Sequence, residues 1–255
     1  AFAAKVGSRY AVACSSGTAA LHLTALALGL APGARTVVPA ITFAATANAA
    51  RFVGADVCFA DVDPDSGLMT EAELTAVLKY HDAKRLAALY PVHLNGQIVD
   101  MEAVANVARK HDLAVVEDAC HALGGTYQTT TGETVTVGSC RHSDMTVFSF
   151  HPVKVITSAE GGMVTTNDGT LYARLLGLRN HGITRDPAHM IDHARAYDSE
   201  GLPNPWYYEI HDLGFNYRLT DIQCALGLSQ LGKLDQFLAR RRELAKLYDD
   251  LLAGA

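Results

Sequence analysis

The sequence predicts an α/β fold, with a mostly parallel β-sheet that is covered by helices on both faces. Short runs rich in β-branched residues alternate with longer segments of helical periodicity, which is the pattern of such sheets. Of the 255 residues, 49% are hydrophobic and 19% are charged, so the chain is neither disordered nor a coiled coil. A chain of this length can bury a core large enough to fold without disulfides or a structural metal.

The first part of the chain alternates strand and helix candidates. The run "YAVAC" is typical of a strand, and Ser15 or Ser16 after it can cap a helix that ends near Gly29. The strand "RTVVPA" is followed by a helix from about Thr42 to near Gly54. The next strand, "ADVCFADV", is closed by the turn "DPDSG".

The same alternation continues through the middle of the chain. A helix from Thr70 to about Tyr80 precedes the strand "RLAALYPVHL", and the helix "DMEAVANVARKH" precedes the strand "LAVVEDAC". Two further strands, "DMTVFSF" and "GGMVTTND", come before a helix from about Gly169 to Leu178. The polar segment from His181 to Asp212 contains Pro and Gly and is predicted to be a long loop.

A long amphipathic helix from about Thr220 to Leu252 completes the chain. We expect residues 1–232 to form one large domain. Residues 233–255 would begin a long helix that leads to a small C-terminal domain outside this chain. The chain would then be a fragment that folds its large domain but is a poor catalyst by itself.

Charge and apolar patterning exclude several classes of protein. The net charge is −6 and the charged residues are interspersed, so no basic stripe indicates binding to nucleic acid. The most apolar stretch, "TAALHLTALALGLA", is too short to span a bilayer, and no leader peptide is recognisable. The five cysteines contain no C-x-x-C pair and indicate a reducing compartment rather than a disulfide framework. We therefore expect a cytoplasmic protein that binds neither nucleic acid nor membranes.

The segment "SSGTAAL" after the first strand is a candidate phosphate site. A Ser-Gly-Thr sequence at a helix start presents unpaired backbone N–H groups, hydroxyls and the positive end of the helix dipole. The alternative is a plain capped helix, because such caps are common.

Asp118 and Lys154 are the two candidate catalytic residues. Asp118 follows an apolar strand, so it can pair with a protonated ring nitrogen, bind a metal or act as a base, or simply cap the next turn. Lys154 stands among apolar sequence neighbours in "SFHPVKVITSAEGG"; burial would disfavour its charged form and make the amine a nucleophile for a carbonyl. The alternative is a lysine that extends from a strand end into solvent.

Other catalytic and metal motifs are weak or missing in the sequence. His189 and His193 have helical spacing but no third ligand at a zinc-like distance, so we predict no metal. No G-x-G-x-x-G, Walker A or G-x-S-x-G motif is found. A phosphate site, a carboxylate for a pyridine nitrogen and a Schiff-base lysine are together what an enzyme of pyridoxal 5'-phosphate (PLP) requires, so the three candidates jointly favour that cofactor.

Eight motifs, in the order of the chain, resemble the DegT/DnrJ/EryC1/StrS family of nucleotide-sugar aminotransferases. They are "SSGTAALHL", "VPAITFAATANA", "YPVHLNGQ", "VVEDACHALGG", "FSFHPVK", "AEGGMVTTND", "LRNHG" and "GFNYRLTDIQCALG". The resemblance covers nearly the whole chain and implies the large domain of a fold type I, PLP-dependent aminotransferase.

The resemblance also implies a role for each site residue. Lys154 would bind the cofactor covalently and later move a proton, and Asp118 would bond its pyridine nitrogen. Phe43 would stack on the pyridine ring, and His121 would lie near the cofactor's O3′. Asn216 would reach into the site of a neighbouring subunit, so a homodimer would be the active unit.

The phosphate group of the cofactor would be held at the start of the first long helix. The resemblance assigns this role to Gly17, Thr18 and Ala19, together with the hydroxyl of Ser149 from a later strand.

Within the family, "GSCRHSDMTVFSFHPVKVITSAEGGM" is most similar to the pseudaminic-acid branch. That branch transfers an amino group from L-glutamate to C4 of a UDP-linked 4-keto-6-deoxy-N-acetylhexosamine, for surface polysaccharides or flagellin glycans. Two alternatives remain: another nucleotide-sugar 3- or 4-aminotransferase, and a non-catalytic protein of the same fold with a binding or regulatory role. Lys154 argues against the related C3 dehydratases, in which a histidine takes its place.

Overall fold

A computed structural model of the chain describes residues 1–81 and 85–253. Its strands, in chain order, are β1 (Tyr10–Cys14), β2 (Arg35–Pro39), β3 (Asp56–Ala60), β4 (Leu86–Leu89), β5 (Ala114–Asp118), β6 (Thr126–Gln128), β7 (Thr134–Thr136), β8 (Met145–Ser149), β9 (Gly162–Thr166), β10 (Ile183–Thr184) and β11 (Glu209–Ile210). Its α-helices are α1 (Phe2–Val6), α2 (Gly17–Ala27), α3 (Ala44–Phe52), α4 (Glu71–Tyr80), α5 (Met101–Lys110), α6 (Gly169–Arg179), α7 (His193–Ala196), α8 (Asp221–Leu231) and α9 (Leu234–Leu252).

Seven strands form one sheet in the order β1-β9-β8-β5-β4-β2-β3. The pairs from β8 to β3 are parallel, whereas β9 is antiparallel to both β8 and β1. The predicted mostly parallel sheet is therefore confirmed, with one reversed strand. The short hairpin of β6 with β7 and the helix α1 were not predicted, because segments of three to five residues carry too little periodicity.

Helices cover both faces of the sheet, as predicted. Neighbouring residues of a strand point to opposite faces, so Val37 and Val38 of β2 belong to different cores. Helices α2, α3 and α6 pack on one core, and α4 and α5 pack on the other. A third core joins Phe2 of α1 and Leu234 of α9 to Phe148.

Side-chain caps fix the starts of several helices. Ser16 caps α2 by accepting a hydrogen bond from the Ala19 N–H at 3.0 Å. Thr70 and Glu73 form a reciprocal capping box at the start of α4. These two helices begin where the sequence placed them.

The predicted single helix from Thr220 to Leu252 is wrong, because it is two helices, α8 and α9. Gly232 ends α8, and Lys233 has a ψ near zero that does not continue the helix. Glycine has a low helix propensity. Leu234, which follows Lys233, is buried in the third core. The chain therefore breaks where it must bring Leu234 into contact with the sheet.

The predicted strand "RLAALYPVHL" is shorter in the structure, because β4 ends at Leu89. Proline has no N–H to donate to a neighbouring strand, so Pro91 cannot continue the ladder. Beyond it, Val92 forms an isolated parallel bridge with Asp118.

The excursion (His181–Asp212) is mostly irregular, as predicted, and contains the short elements β10, α7 and β11 and a 3-10 helix at Pro187–His189. Its centre is the carboxylate of Glu209, which accepts hydrogen bonds from the backbone N–H groups of Ile191 and Asp192. The side chains of Tyr207 and His211 also contact this carboxylate. Among the helices in the described ranges, none is long and apolar enough to cross a membrane.

Candidate active site

A cavity of about 410 Å³ opens where the carboxyl ends of β5 and β8 meet the start of α2. Open α/β sheets bind ligands at this edge. Seven of the nine predicted site residues line the cavity: Gly17, Thr18, Phe43, Asp118, His121, Ser149 and Lys154. The sequence prediction therefore selected residues that the fold brings together from four separate segments.

The start of α2 lies against Ser149 at one end of the cavity. A Cβ placed on Gly17 would come within 2.9 Å of the Ser149 Cβ and 3.2 Å of its hydroxyl oxygen. Only glycine allows this approach. Across residues 1–81 and 85–253, the N–H groups of Gly17 and Thr18 have no hydrogen-bond acceptor. Ser149 Oγ accepts a long bond from the His151 N–H, so its own hydrogen can be donated. This donor set suits a phosphate.

Ala19 and Asn216 do not line the cavity. Ala19 is buried, and its N–H donates to Ser16 Oγ, so its contribution is to the helix cap. Asn216 is exposed and its backbone pairs with that of Asn180. The predicted role of Ala19 at the phosphate and that of Asn216 in a neighbouring site both stay predictions.

Asp118 ends β5 with its carboxylate buried and fixed on both oxygens. Thr46 Oγ1 donates to Oδ2 at 2.7 Å, and the N–H of Cys120 donates to Oδ1 at 3.2 Å. Thr46 is fully buried in α3, and its hydroxyl also bonds that of Thr42, 2.8 Å away at the cavity wall. Sequence reasoning missed Thr46, because its contact with Asp118 joins two segments that lie 72 residues apart in the sequence.

Lys154 is half-buried on the loop that connects β8 to β9. The apolar surroundings predicted for it are not formed by its sequence neighbours. Phe150 and Ile156 pack into the third core, and Val153 is 72% exposed. The loop turns at Lys154, whose N–H donates to the carbonyl of His151 at 2.9 Å. Successive side chains of a turn point in different directions, so adjacency in sequence did not become contact.

His121 and Phe43 border the same cavity, but His121 is partly buried whereas Phe43 is exposed. Burial lowers the pKa of His121 below its ordinary value, and the positive charge of Lys154 adds to this effect. Its Nδ1 accepts a hydrogen bond from the Asn95 N–H at 3.2 Å, so the ring proton is on Nε2. The ring of Phe43 is 74% exposed at the cavity mouth, so a flat ligand could cover it.

Cys120 also lines the cavity, but its thiol is not a nucleophile. Burial and the nearby negative charge of Asp118 raise the pKa of the Cys120 thiol well above its ordinary value. Because the thiolate is the reactive form of cysteine, Cys120 is a poor nucleophile in this cavity.

The cavity fits PLP by the chemistry of its groups. Gly17, Thr18 and Ser149 offer hydrogen-bond donors for a phosphate at a helix start. Asp118 offers an oriented carboxylate for a ring nitrogen, and Lys154 offers an amine for an aldehyde.

The model of the DegT/DnrJ/EryC1/StrS aminotransferase family matches residues 1–255. The GDP-perosamine synthase of Caulobacter vibrioides is 40% identical over 253 residues, which are 99% of this chain and 60% of the synthase. The UDP-4-amino-4,6-dideoxy-N-acetyl-beta-L-altrosamine transaminase of Campylobacter jejuni is 39% identical over 244 residues, which are 96% of this chain and 58% of the transaminase. The chain thus spans about 60% of the length of such relatives.

Solved structures show the same fold. The aminotransferase from Psychrobacter cryohalolentis superposes with a TM-score of 0.85 at 32% identity, covering 99% of this chain and 59% of that one. A Streptococcus pneumoniae structure determined in its PLP form has a TM-score of 0.83 at 28% identity, covering 100% of this chain and 62% of that one.

Proposed function

The chain belongs to the DegT/DnrJ/EryC1/StrS aminotransferase family, which uses pyridoxal phosphate, and we propose that the protein transfers an amino group from L-glutamate to a keto carbon of a nucleotide-linked sugar. The observation that carries this proposal is the convergence of Gly17, Asp118, Ser149 and Lys154 on one cavity. These residues come from three distant parts of the sequence, and each supplies a different group that the chemistry needs.

When bound, PLP supplies the electron sink that allows an amino group to move between two carbon skeletons. The N–H groups of Gly17 and Thr18 and the hydroxyl of Ser149 would bind its phosphate. The carboxylate of Asp118 would hold a proton on the pyridine nitrogen, and the Phe43 ring would cover the pyridine. The Nζ of Lys154 would hold the cofactor's aldehyde carbon and carry a proton to and from the substrate carbon.

For the substrate, we propose a UDP-linked 4-keto-6-deoxy-N-acetylhexosamine that is aminated at C4, as in the pseudaminic-acid branch. The Campylobacter jejuni relative, with its UDP-linked amino sugar, supports this assignment. The Caulobacter relative, a GDP-perosamine synthase, has a similar identity, so a GDP-linked keto sugar is the second candidate. A non-catalytic binding protein would not need both Lys154 and Asp118, and the chain has both.

For the assembly, we propose a homodimer in which Asn216 serves the neighbouring site. The exposure of Asn216, outside its own cavity, supports this arrangement. We also propose that residues 1–232 act as the cofactor-binding domain and that the segment from 233 onward leads to a further domain.

The visible absorbance of the full-length protein with added PLP tests the cofactor assignment. We expect a Schiff-base band in the wild type and none in Lys154→Ala. Lys110→Ala is the matched control, because Lys110 is exposed at the end of α5 and away from the cavity. A band that persists unchanged in Lys154→Ala would contradict the assignment.

A panel of keto sugars linked to UDP, GDP and dTDP, each with glutamate, tests the substrate. The mass of the aminated product identifies which sugar reacts. We expect the UDP-linked sugar to react fastest. Faster reaction of the GDP-linked sugar would replace our assignment with the second candidate, and equal turnover of dTDP sugars would exclude the pseudaminic branch.

A further inference from the structure

A buried polar cluster lies on the opposite side of the sheet edge from the cavity, and the proposed chemistry does not use it. Its centre is Glu117, whose side chain is 2% exposed. One carboxylate oxygen, Oε2, is 3.1 Å from His93 Nε2, and the other accepts hydrogen bonds from Thr146 Oγ1 at 3.0 Å and from Ser143 Oγ. Burying a carboxylate is costly unless its oxygens are hydrogen-bonded, and three side chains meet that need here.

His93 is fully buried and both of its ring nitrogens are engaged. Its Nδ1 accepts a hydrogen bond from the Val99 N–H at 3.2 Å. The ring proton is therefore on Nε2, and Nε2 donates to Glu117. His93 thus connects Glu117 to the segment that follows β4.

That segment forms a wall of the cavity. Val92 and Leu94 line the cavity, while His93 between them contacts Glu117 on the other face. The N–H of Asn95, one residue further, donates to His121. The position of this wall therefore sets the position of several groups that face the ligand.

Few backbone bonds hold the wall against β5. Beyond the end of β4, the Asp118 N–H donates to the Pro91 carbonyl at 2.9 Å, and the His93 N–H donates to the Asp118 carbonyl at 3.1 Å. Because proline breaks the ladder here, the side-chain bond between His93 and Glu117 is a further connection at the same point. Glu117 precedes Asp118 directly, so this bond links the wall to the residue that carries the ring-nitrogen carboxylate.

We propose that His93 and Glu117 are positioning residues, which act through the wall and Asp118 to hold the cofactor-binding groups in place. The inference rests on the proposed function, because it concerns the same cavity. Partners that orient metal ligands from behind change metal affinity about 10- to 100-fold when they are removed, and we expect the same kind of effect on PLP affinity here.

Two substitutions of His93 separate its two hydrogen bonds. The amide nitrogen of His93→Gln can take the place of Nε2 and keep the bond to Glu117. The amide oxygen of His93→Asn can take the place of Nδ1 and keep only the bond from Val99. The matched control is Ser143→Ala, which also removes one donor to Glu117 but does not touch the wall.

The measurements, on the full-length protein, are the Kd for PLP from titration of the visible band, the pH dependence of that band, and the Tm. We expect about a tenfold higher Kd and an altered pH dependence in His93→Asn, with His93→Gln closer to the wild type. Ser143→Ala should lower the Tm but leave the Kd and the pH dependence unchanged.

The proposal is overturned if His93→Asn and Ser143→Ala both lower the Tm while the Kd and the pH profile stay at wild-type values. If His93→Asn does not fold, Glu117→Gln is tested instead. Its amide fills the same space but removes the negative charge and one of the two acceptor oxygens of the carboxylate. A wild-type Kd and pH profile in that variant would likewise overturn the proposal. Absence of the band in the wild type itself would instead contradict the proposed function.

Discussion

The cavity edge of the sheet and the excursion each contain a carboxylate with several hydrogen-bond partners. The two sets of partners differ in their distance from the carboxylate along the sequence. The side-chain partners of Glu117 lie 24 to 29 positions away in sequence, on other strands and loops. The partners of Glu209 lie 2 to 18 positions away, all within the excursion. The Glu117 cluster therefore depends on assembly of the sheet, whereas the Glu209 cluster depends on contacts within the excursion.

The two regions also differ in what they expose. Glu117, His93 and Thr146 are buried, whereas the excursion exposes large apolar side chains, including Ile191, Leu202 and Trp206. Trp206 is the only tryptophan in the sequence, so its fluorescence reports on the excursion alone.

The largest expected effect comes from a pair of glycine substitutions, one in each region. A Cβ at Gly162 would overlap the carbonyl of Ser16 and come within 2.9 Å of the Gly17 nitrogen. We expect Gly162→Ala to lower the free energy of unfolding by about 3 kcal/mol, because fixed backbone cannot yield, and to weaken PLP binding. Denaturant unfolding and PLP titration measure these two effects.

Gly182→Ala is the counterpart in the excursion. Gly182 has a φ of 69°, and a Cβ there would overlap the Asp212 carbonyl. We expect changed Trp206 fluorescence with an unchanged Kd for PLP, because the clash lies outside the cavity. If instead Gly162→Ala left the Kd unchanged, the β9 strand would not be coupled to the phosphate site.

An intermediate effect on the free energy of unfolding is expected when the hydroxyl of a buried threonine, Thr46, is removed. Thr46→Val removes the hydroxyl that donates to Asp118, and hydrogen bonds to charged groups contribute about 2 kcal/mol. We expect this loss in the free energy of unfolding, together with a higher Kd for PLP, measured by the same two titrations.

Thr36→Val is the matched control, since Thr36 is also fully buried in the sheet. Within the described ranges its hydroxyl has no hydrogen-bond partner. Removing it should stabilise the protein by about 1 kcal/mol with no change in Kd. Equal effects of the two substitutions would mean that Thr46 has no special relation to Asp118.

The smallest expected effect is a pH dependence confined to the excursion. The hydrogen bond from His211, followed by those from the Asp192 and Ile191 N–H groups, lowers the pKa of Glu209 from its ordinary 4.5 to about 2. A lowered carboxyl pKa stabilises the fold above the ordinary value, and this contribution is lost as the pH falls from 4.5 towards 2. We expect Trp206 fluorescence to change in that window.

Glu209→Gln should show a smaller change over the same window. Some change should remain, because the Ala188 N–H and His189 also lower the pKa of Asp186 in the excursion. Far-ultraviolet circular dichroism, followed in parallel, reports on the helices of the whole chain. An identical fluorescence titration in both proteins would show that Glu209 does not hold the excursion.

The sequence predicted the parts of the site that depend on local position. Asp118 at a strand end and Gly17 behind a Ser cap follow from the alternation of elements, and both were placed correctly. Thr46 and the contact between His93 and Glu117 were missed, because they depend on how separate segments align across the fold. The surroundings of Lys154 were predicted wrongly, since a turn disperses side chains that are adjacent in sequence.

The pairing of β1 with β9 has a consequence for the order in which the molecule is assembled. Cys14 lies opposite Gly162, so β1 pairs with β9, a strand that is synthesised only after the seven strands β2 to β8. Domains generally fold as units during synthesis, and the start of α2 contacts Gly162 only after β9 has been made. A nascent chain that ends before β9 lacks the strand against which the start of α2 packs. We therefore expect the cofactor to bind only after β9 has been synthesised and paired with β1.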